Sequence, residues 1–235
     1  MKRAAFLIHG DSGAGKTRFL GTVAEVVKTI HLCFDEFASD TLEGMPGDRK
    51  VIQIENYAEL RMVRDDIKRD KTVGAVCLDG LTQAIQNHRA DMSGSTADKY
   101  VDGNIPLWTR TKNLWRMTIA DFAHLPIHVL LACISRTEDD VRLVAQRGGG
   151  GDPERGEIKR VVPNLETNLR HEIGGYLNGK GYMWKESNGR LLTHHLSFYL
   201  PNIDTKLCHP TVTIKDMVDP TFEKVWKRIT EKESK

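Results

Sequence analysis

Residues 10–17 read GDSGAGKT, which fits G-x-x-x-x-G-K-[ST]. No other stretch constrains the fold so tightly, because this pattern belongs where a strand gives way to a helix. Gly13 and Gly15 let the backbone turn successive N–H groups inward around an anion. The following helix presents its positive N-terminal end to the same anion. Lys16 is expected to reach the β- and γ-phosphates, and the Thr17 hydroxyl to ligate Mg²⁺. Gly10, Asp11, Ser12, Ala14 and Arg18 complete the expected phosphate lining. The context fits: the apolar run Ala4–Ile8 precedes the loop. After it, Phe19, Leu20, Val23, Val26 and Val27 recur at helical spacing over Thr17–Lys28. A Mg²⁺-bound nucleoside triphosphate is the expected ligand.

The rest of the chain alternates strand and helix patterns. Strands are expected at Thr29–Phe34, Val51–Ile54, Val73–Leu78 and Ile127–Ile134, the last two being near-continuous apolar runs of the kind buried in parallel sheets. Helices are expected at Tyr57–Arg69, at Leu81–Met92 and from Pro106 onward, where Trp108, Trp115, Ile119 and Phe122 form an inward stripe. Asp40–Lys50 and Ser93–Asn104 read as loops. This order predicts an α/β fold with a mostly parallel central sheet flanked by helices. Past Ile134 the character changes. Residues 136–160 carry six basic and six acidic side chains and four consecutive glycines, the composition of a mobile segment. Pro163–Leu177 reads as helical. Gly181–Lys185 and Arg190–Leu200 read as a C-terminal β-hairpin turning at Asn188-Gly189. The division is then an ATPase core at 1–212 and a helical tail at 213–235, with Phe222, Val225, Trp226 and Ile229 on one face.

Three further places carry candidate chemistry. Asp79 ends an apolar strand, where a Walker B carboxylate holds Mg²⁺; the other reading is a turn or helix-cap aspartate. Asp35 and Glu36 follow the strand after the P-loop helix, at the sheet edge that holds the phosphates. Glu36 is the first choice to activate the attacking water and Asp35 the reserve, since register decides which points inward. Ser135 and Arg136 follow Ile134 and are placed to sense the γ-phosphate, or Arg136 pairs with Glu138. His171, His194, His195, His209 and Cys208 match no tight zinc spacing, and neighbours on a strand such as His194 and His195 face opposite sides.

Composition excludes little. Among 235 residues the formal net charge is +2, so nucleic-acid binding would need a local patch. The four cysteines form no C-x-x-C pair. That points to free thiols in a reducing, cytoplasmic compartment. No stretch approaches the ~20 apolar residues of a membrane span, so no membrane partner is expected.

The layout resembles the RecA superfamily, and more narrowly the minimal RecA-like ATPases of phages, including Sak-type single-strand annealing proteins. The likeness covers about residues 4–210. It rests on GDSGAGKT at 10–17, FDEF at 34–37, VGAVCLDGLTQ at 73–83, HVLLACISRTEDD at 128–140 and VPNLETNLRHEIGGYL at 162–177. The resemblance implies ATP as the nucleotide and an Mg²⁺-dependent ATPase in a bacterial host cell. It also implies ATP-dependent binding and annealing of single-stranded DNA, by rings or filaments with ATP at the subunit interfaces. A single-strand-binding protein or a nuclease is an implied partner. Lys206 matches the basic residue sent to the neighbour's γ-phosphate, or is a plain surface lysine; the second basic residue of the family is here Cys208, which weakens the trans role. The implied DNA-binding loops are Ser93–Asn104, with Tyr100, and Arg136–Arg160, with Arg142, Arg147, Arg155, Lys159 and Arg160. With its P-loop at residue 10, the chain is expected to lack the N-terminal domain of full-length recombinases. Three alternatives remain: a helicase-like, helicase-loading or DNA-packaging ATPase; a P-loop small-molecule or nucleotide kinase; and a nucleotide-gated binding protein with little hydrolysis, which the missing second basic residue keeps open.

Overall fold

The computed structural model describes residues 2–93, 105–139, 159–187, 189, 191–209 and 211–231. Its centre is a sheet of ten strands. These are β1 (Ala5–Gly10), β2 (Thr29–Cys33), β3 (Arg49–Gln53), β4 (Ala75–Asp79), β5 (His128–Asp139), β6 (Lys159–Pro163), β7 (Gly179–Ser187), β8 (Leu192–Ser197), β9 (Lys206–Leu207) and β10 (Met217–Val218). The main path runs β10-β8-β7-β1-β5-β4-β2-β3, with β6 on β5 and β9 on β7. From β7 through β3 every pairing on that path is parallel. The hairpin β7–β8 and the ribbon β5–β6 are antiparallel. The expected α/β class, with a C-terminal hairpin, is met.

The helices are α1 (Lys16–Gly21), α2 (Glu36–Leu42), α3 (Tyr57–Arg69), α4 (Leu81–Ser93), α5 (Ile105–Ala123), α6 (Thr167–Gly174) and α7 (Phe222–Thr230). Strand periodicity divides the core in two. Ala5 and Leu7 of β1 join Leu60 of α3, Leu81 of α4 and Trp115, Ile119 and Phe122 of α5 on one face. Phe6 and Ile8 join Phe19 and Leu20 of α1 and Phe222, Val225 and Ile229 of α7 on the other. Residues 213–231 therefore contribute Ile214 and all of α7's inner face to the main core, and β10 pairs with β8. The Phe222 backbone N–H donates to the Thr22 hydroxyl at 2.8 Å, seating α7 against the turn that follows α1.

Several segments differ from the sequence expectation. The helix expected over Thr17–Lys28 is α-helical only over Lys16–Gly21 and continues as a 3-10 turn over Thr22–Glu25, where the Val26 and Val27 N–H groups both donate to the Val23 carbonyl. Residues 36–42 form α2 rather than strand end and loop, because Asp35 caps them by accepting from the Phe37 N–H at 3.0 Å, and Ala38 and Leu42 bury against Cys33. β5 continues past Ile134 to Asp139 because β6 pairs with it, Ser135 opposite Pro163 and Asp139 opposite Lys159. The helix expected over Pro163–Leu177 is confined to Thr167–Gly174, since β6 takes the residues up to Pro163.

Two histidines lie wholly inside the sheet. His9 and His31 are both fully buried, and burial pushes each down to about 4 from an ordinary 6.5. Both rings are therefore neutral in the fold, while the unfolded chain protonates them near pH 6.5. The stability they confer is complete above that pH and is lost as pH falls from 6.5 towards 4. At pH 5 each histidine costs about 2 kcal/mol relative to neutral pH. The His31 ring nitrogens have no hydrogen-bond partner among the described residues, so His31→Leu is expected to recover about half of that acid loss. Thermal midpoints at about pH 7.5 and pH 5 check it; an unchanged gap between them in the variant would sink the assignment.

Candidate phosphate site

β1 ends at Gly10 and the chain folds back into α1. Gly13 and Gly15 have φ of +73° and +93°, left-handed backbone that glycine adopts without steric cost. The Ala14 N–H donates to the Asp11 carbonyl at 3.2 Å, and the Phe19 N–H to Gly15 at 2.9 Å. Gly15 is the N-cap of α1, and no side chain caps that end, so its first N–H groups remain for another acceptor. The Lys16 ammonium lies across the loop and donates to the carbonyls of Gly10 (2.8 Å) and Asp11 (2.7 Å). Burial lowers its pKa, opposed by the charges of Asp79 and Asp11. Ser12 and Arg18 are exposed on the loop and on α1.

The strand order sets the second wall. β5 lies between β1 and β4, so Asp79, at the C-terminal end of β4, stands two strands from the loop. Asp79 is 6% exposed. Burial raises its pKa, while a hydrogen bond with Thr17 and the charge of Lys16 lower it. Its Oδ2 is buried without a partner among the described residues. A buried carboxylate oxygen left unpaired is expensive unless a cation meets it. A hydroxyl and a carboxylate oxygen side by side are the hard donors Mg²⁺ accepts, with phosphates and water filling its shell. The residues present therefore fit the metal. Among the described residues no three His, Cys, Asp or Glu side chains gather into a metal cluster.

The remaining candidates sit as follows. Asp35 is the N-cap of α2, exposed, and close enough to raise the pKa of Asp79 by charge. Glu36 is the first residue of α2. Ser135 lies within β5 rather than at a strand tip. Its hydroxyl is 2.9 Å from His9 Nδ1, and His9 Nε2 is 3.0 Å from the Asp204 carbonyl. A carbonyl only accepts, so Nε2 carries the proton and Ser135 donates to Nδ1. Arg136 pairs with Glu138 at 3.4 Å. Glu138 is also held by both terminal nitrogens of the buried Arg170, at 2.8 and 3.1 Å. Asp204 binds Lys180 and Arg160, so a charged cluster spans β5, β6, β7 and α6. Only the Arg136–Glu138 pair is legible in the sequence; the other members are scattered over more than 60 positions, and only folding unites them. Lys206 pairs with Lys180, level with Leu7 of β1, and its ammonium donates to the Gly174 carbonyl at 3.0 Å at the end of α6. Tyr100, Arg142, Arg147 and Arg155 lie outside the described residues.

The hairpin contributes what no motif marked. Met183 of β7 sits beside Gly10, so β7 runs on past the end of β1 alongside the loop. Lys185 and His194 face each other across the hairpin. His194 Nδ1 is 3.1 Å from the Ala14 carbonyl and donates to it. His195 faces the other way and stacks on Trp184, with ring centroids 5.0 Å apart. Next to Gly15 and Arg18 opens a groove walled by Phe19, Met45, Pro46, Leu192, His194 and Pro220. Cys33, Cys77 and Cys133 are buried and unpaired, and Cys208 is exposed. No helix among the described residues is long and apolar enough to cross a membrane.

No family model matches the chain, and no curated protein matches it. Among solved structures the chain is similar to the crystal structure of flagellar accessory protein FlaH from Methanocaldococcus jannaschii, with 10% sequence identity and a TM-score of 0.47. That match covers 92% of this chain and 84% of that one. The chain's own geometry establishes an α/β fold in which a phosphate-type loop, its lysine and a buried carboxylate meet at one edge of a mostly parallel sheet.

Proposed function

We propose that this chain is an Mg²⁺-dependent ATPase that couples ATP binding and hydrolysis to single-stranded DNA. One observation carries the nucleotide half: the left-handed glycines, Lys16, Thr17 and the unpaired Asp79 oxygen converge at the C-terminal edge of the sheet. The loop with Lys16 holds the phosphates. Thr17 and Asp79 hold the Mg²⁺, which supplies charge neutralisation on the phosphates. The groove beside Gly15 and Arg18 takes the nucleoside. Glu36, or Asp35, orients the attacking water, and Ser135 and Arg136 report the γ-phosphate to β5.

The DNA half has a different support. β5 passes between the loop strand and the Asp79 strand, then leaves the sheet as a ribbon with β6. Beside that ribbon, Gln83, Gln86, Asn87 and Asn164 line a groove with Arg136 and Trp108, whose ring carries Arg89 at 4.8 Å. Amides, guanidinium groups and an indole suit a polar, stacked strand. Annealing by a ring or filament, with ATP between subunits and Lys206 acting on the neighbour's phosphate, belongs to the same reading, as does recruitment of a single-strand-binding protein or nuclease.

The test is ATP hydrolysis with and without a single-stranded oligonucleotide across a salt titration. Stimulation that falls steeply with salt is expected, because phosphate contacts release counterions. Hydrolysis indifferent to DNA at every salt concentration would remove the DNA half. Phosphoryl transfer to a nucleoside or metabolite would replace the whole reading with a kinase.

A further inference from the structure

We propose that Lys185 is a second cation for the triphosphate, supplied by the hairpin of the same chain. The inference rests on the ATP reading above and adds to it a residue that the phosphate motif does not contain.

Register explains why this lysine reaches the loop. Gly10 pairs with Met183, so two residues further on Lys185 stands beside the stretch where the chain has left β1. Alternation gives Lys185 the same face as Met183, which packs in the core with Ala14 and Phe19. That is the side on which the loop turns into α1. A Cβ built on Gly13 would lie 3.2 Å from Lys185 Nζ. Its cross-strand partner His194 lands on the next part of the loop, bonded to the Ala14 carbonyl and against Gly15. The hairpin therefore straddles the loop with one ammonium and one imidazole N–H.

Lys185 has no other assignment. It is exposed, and among the described residues no hydrogen bond or ion pair holds it. Its neighbour Glu186 is on the opposite face, accepting from Trp184 Nε1 at 2.9 Å. A flexible four-carbon stem lets the ammonium swing from Gly13 to the outer phosphate oxygens.

The experiment is calorimetric titration of the full chain with Mg-ATP and with Mg-ADP. It compares wild type, Lys185→Ala, Lys185→Arg and, as a charge control at the far edge of the sheet, Lys68→Ala. Lys185→Ala is expected to weaken ATP about 10-fold or more and ADP by less, because a charge-assisted contact to the outermost phosphate is lost. Lys185→Arg should retain most of the ATP preference and Lys68→Ala all of it. An ATP-to-ADP affinity ratio unchanged in Lys185→Ala, with wild type binding both, overturns this inference alone. A folded wild type that binds neither nucleotide overturns the ATP reading and this inference together.

Discussion

Lys16→Met is expected to lower ATP affinity by about two orders of magnitude or more while leaving the thermal midpoint unchanged or slightly raised. The two halves of that result have separate physical causes. The ammonium is partly buried, and burial lowers its pKa despite the nearby Asp79 and Asp11. A cation whose charged form is disfavoured in the fold adds nothing to folding stability at neutral pH. Among the described residues its direct acceptors are the carbonyls of Gly10 and Asp11, which can face water without it. Methionine keeps the length of the stem and removes the charge, so packing around α1 survives. What disappears is the one charged donor the loop itself offers to two phosphates. Equilibrium titration with Mg-ATP and a melting curve on the same sample check both halves. Loss of binding accompanied by a large drop in midpoint would make Lys16 a structural residue.

How much of this was legible in the sequence depends on how local each feature is. The phosphate loop is contiguous, and its glycines announce their left-handed backbone, so strand, loop and the start of the helix are readable in place, while the apolar spacing that runs on to Val27 hides the early end of α1 at Gly21. Asp79 was readable because an apolar run ends on it. By contrast α2 is short, polar and anchored by only Ala38 and Leu42, with Phe37 73% exposed, so hydrophobic period gave no signal. The one local cue was Asp35, a good N-cap residue two positions before the Phe37 N–H it accepts. β6 was illegible for a stronger reason: Lys159–Pro163 becomes a strand only because β5 overshoots the sheet and offers it a partner. Lys185 was one of 34 basic residues with nothing to distinguish it. The pairing of Met183 with Gly10 singles it out, and that is a fact of register between residues 173 positions apart.

The same pairing gives the second large effect. Gly10→Ala is expected to destabilise the fold by about 3 kcal/mol and to lower the midpoint by about 6–12 °C. The phosphate pattern fixes Gly10 and Gly15, and Gly13 falls at one of its free positions, but the three glycines are needed for different reasons. Gly13 and Gly15 are required by conformation, with φ of +73° and +93°. Gly15 is also crowded, since a Cβ there would lie 2.7 Å from His194 Nδ1. Gly10 has ordinary strand backbone, and alanine fits its dihedral angles. What it lacks is room, because a Cβ would overlap the Met183 carbonyl oxygen of β7. That oxygen is backbone in a paired strand, so no rotamer change relieves the clash. β7 must move away from β1, and β1 is fixed on its other edge by β5, with Gly10 opposite Ile134. The displaced strand carries Lys185, and through the hairpin His194, so nucleotide affinity should fall with stability. Gly13→Ala separates the two causes: strained by its φ but with only the end of a flexible lysine nearby, it should cost less stability than Gly10→Ala. Melting curves of the two variants side by side decide it, and a Gly10→Ala protein as stable as wild type would mean that β7 does not press on the loop strand.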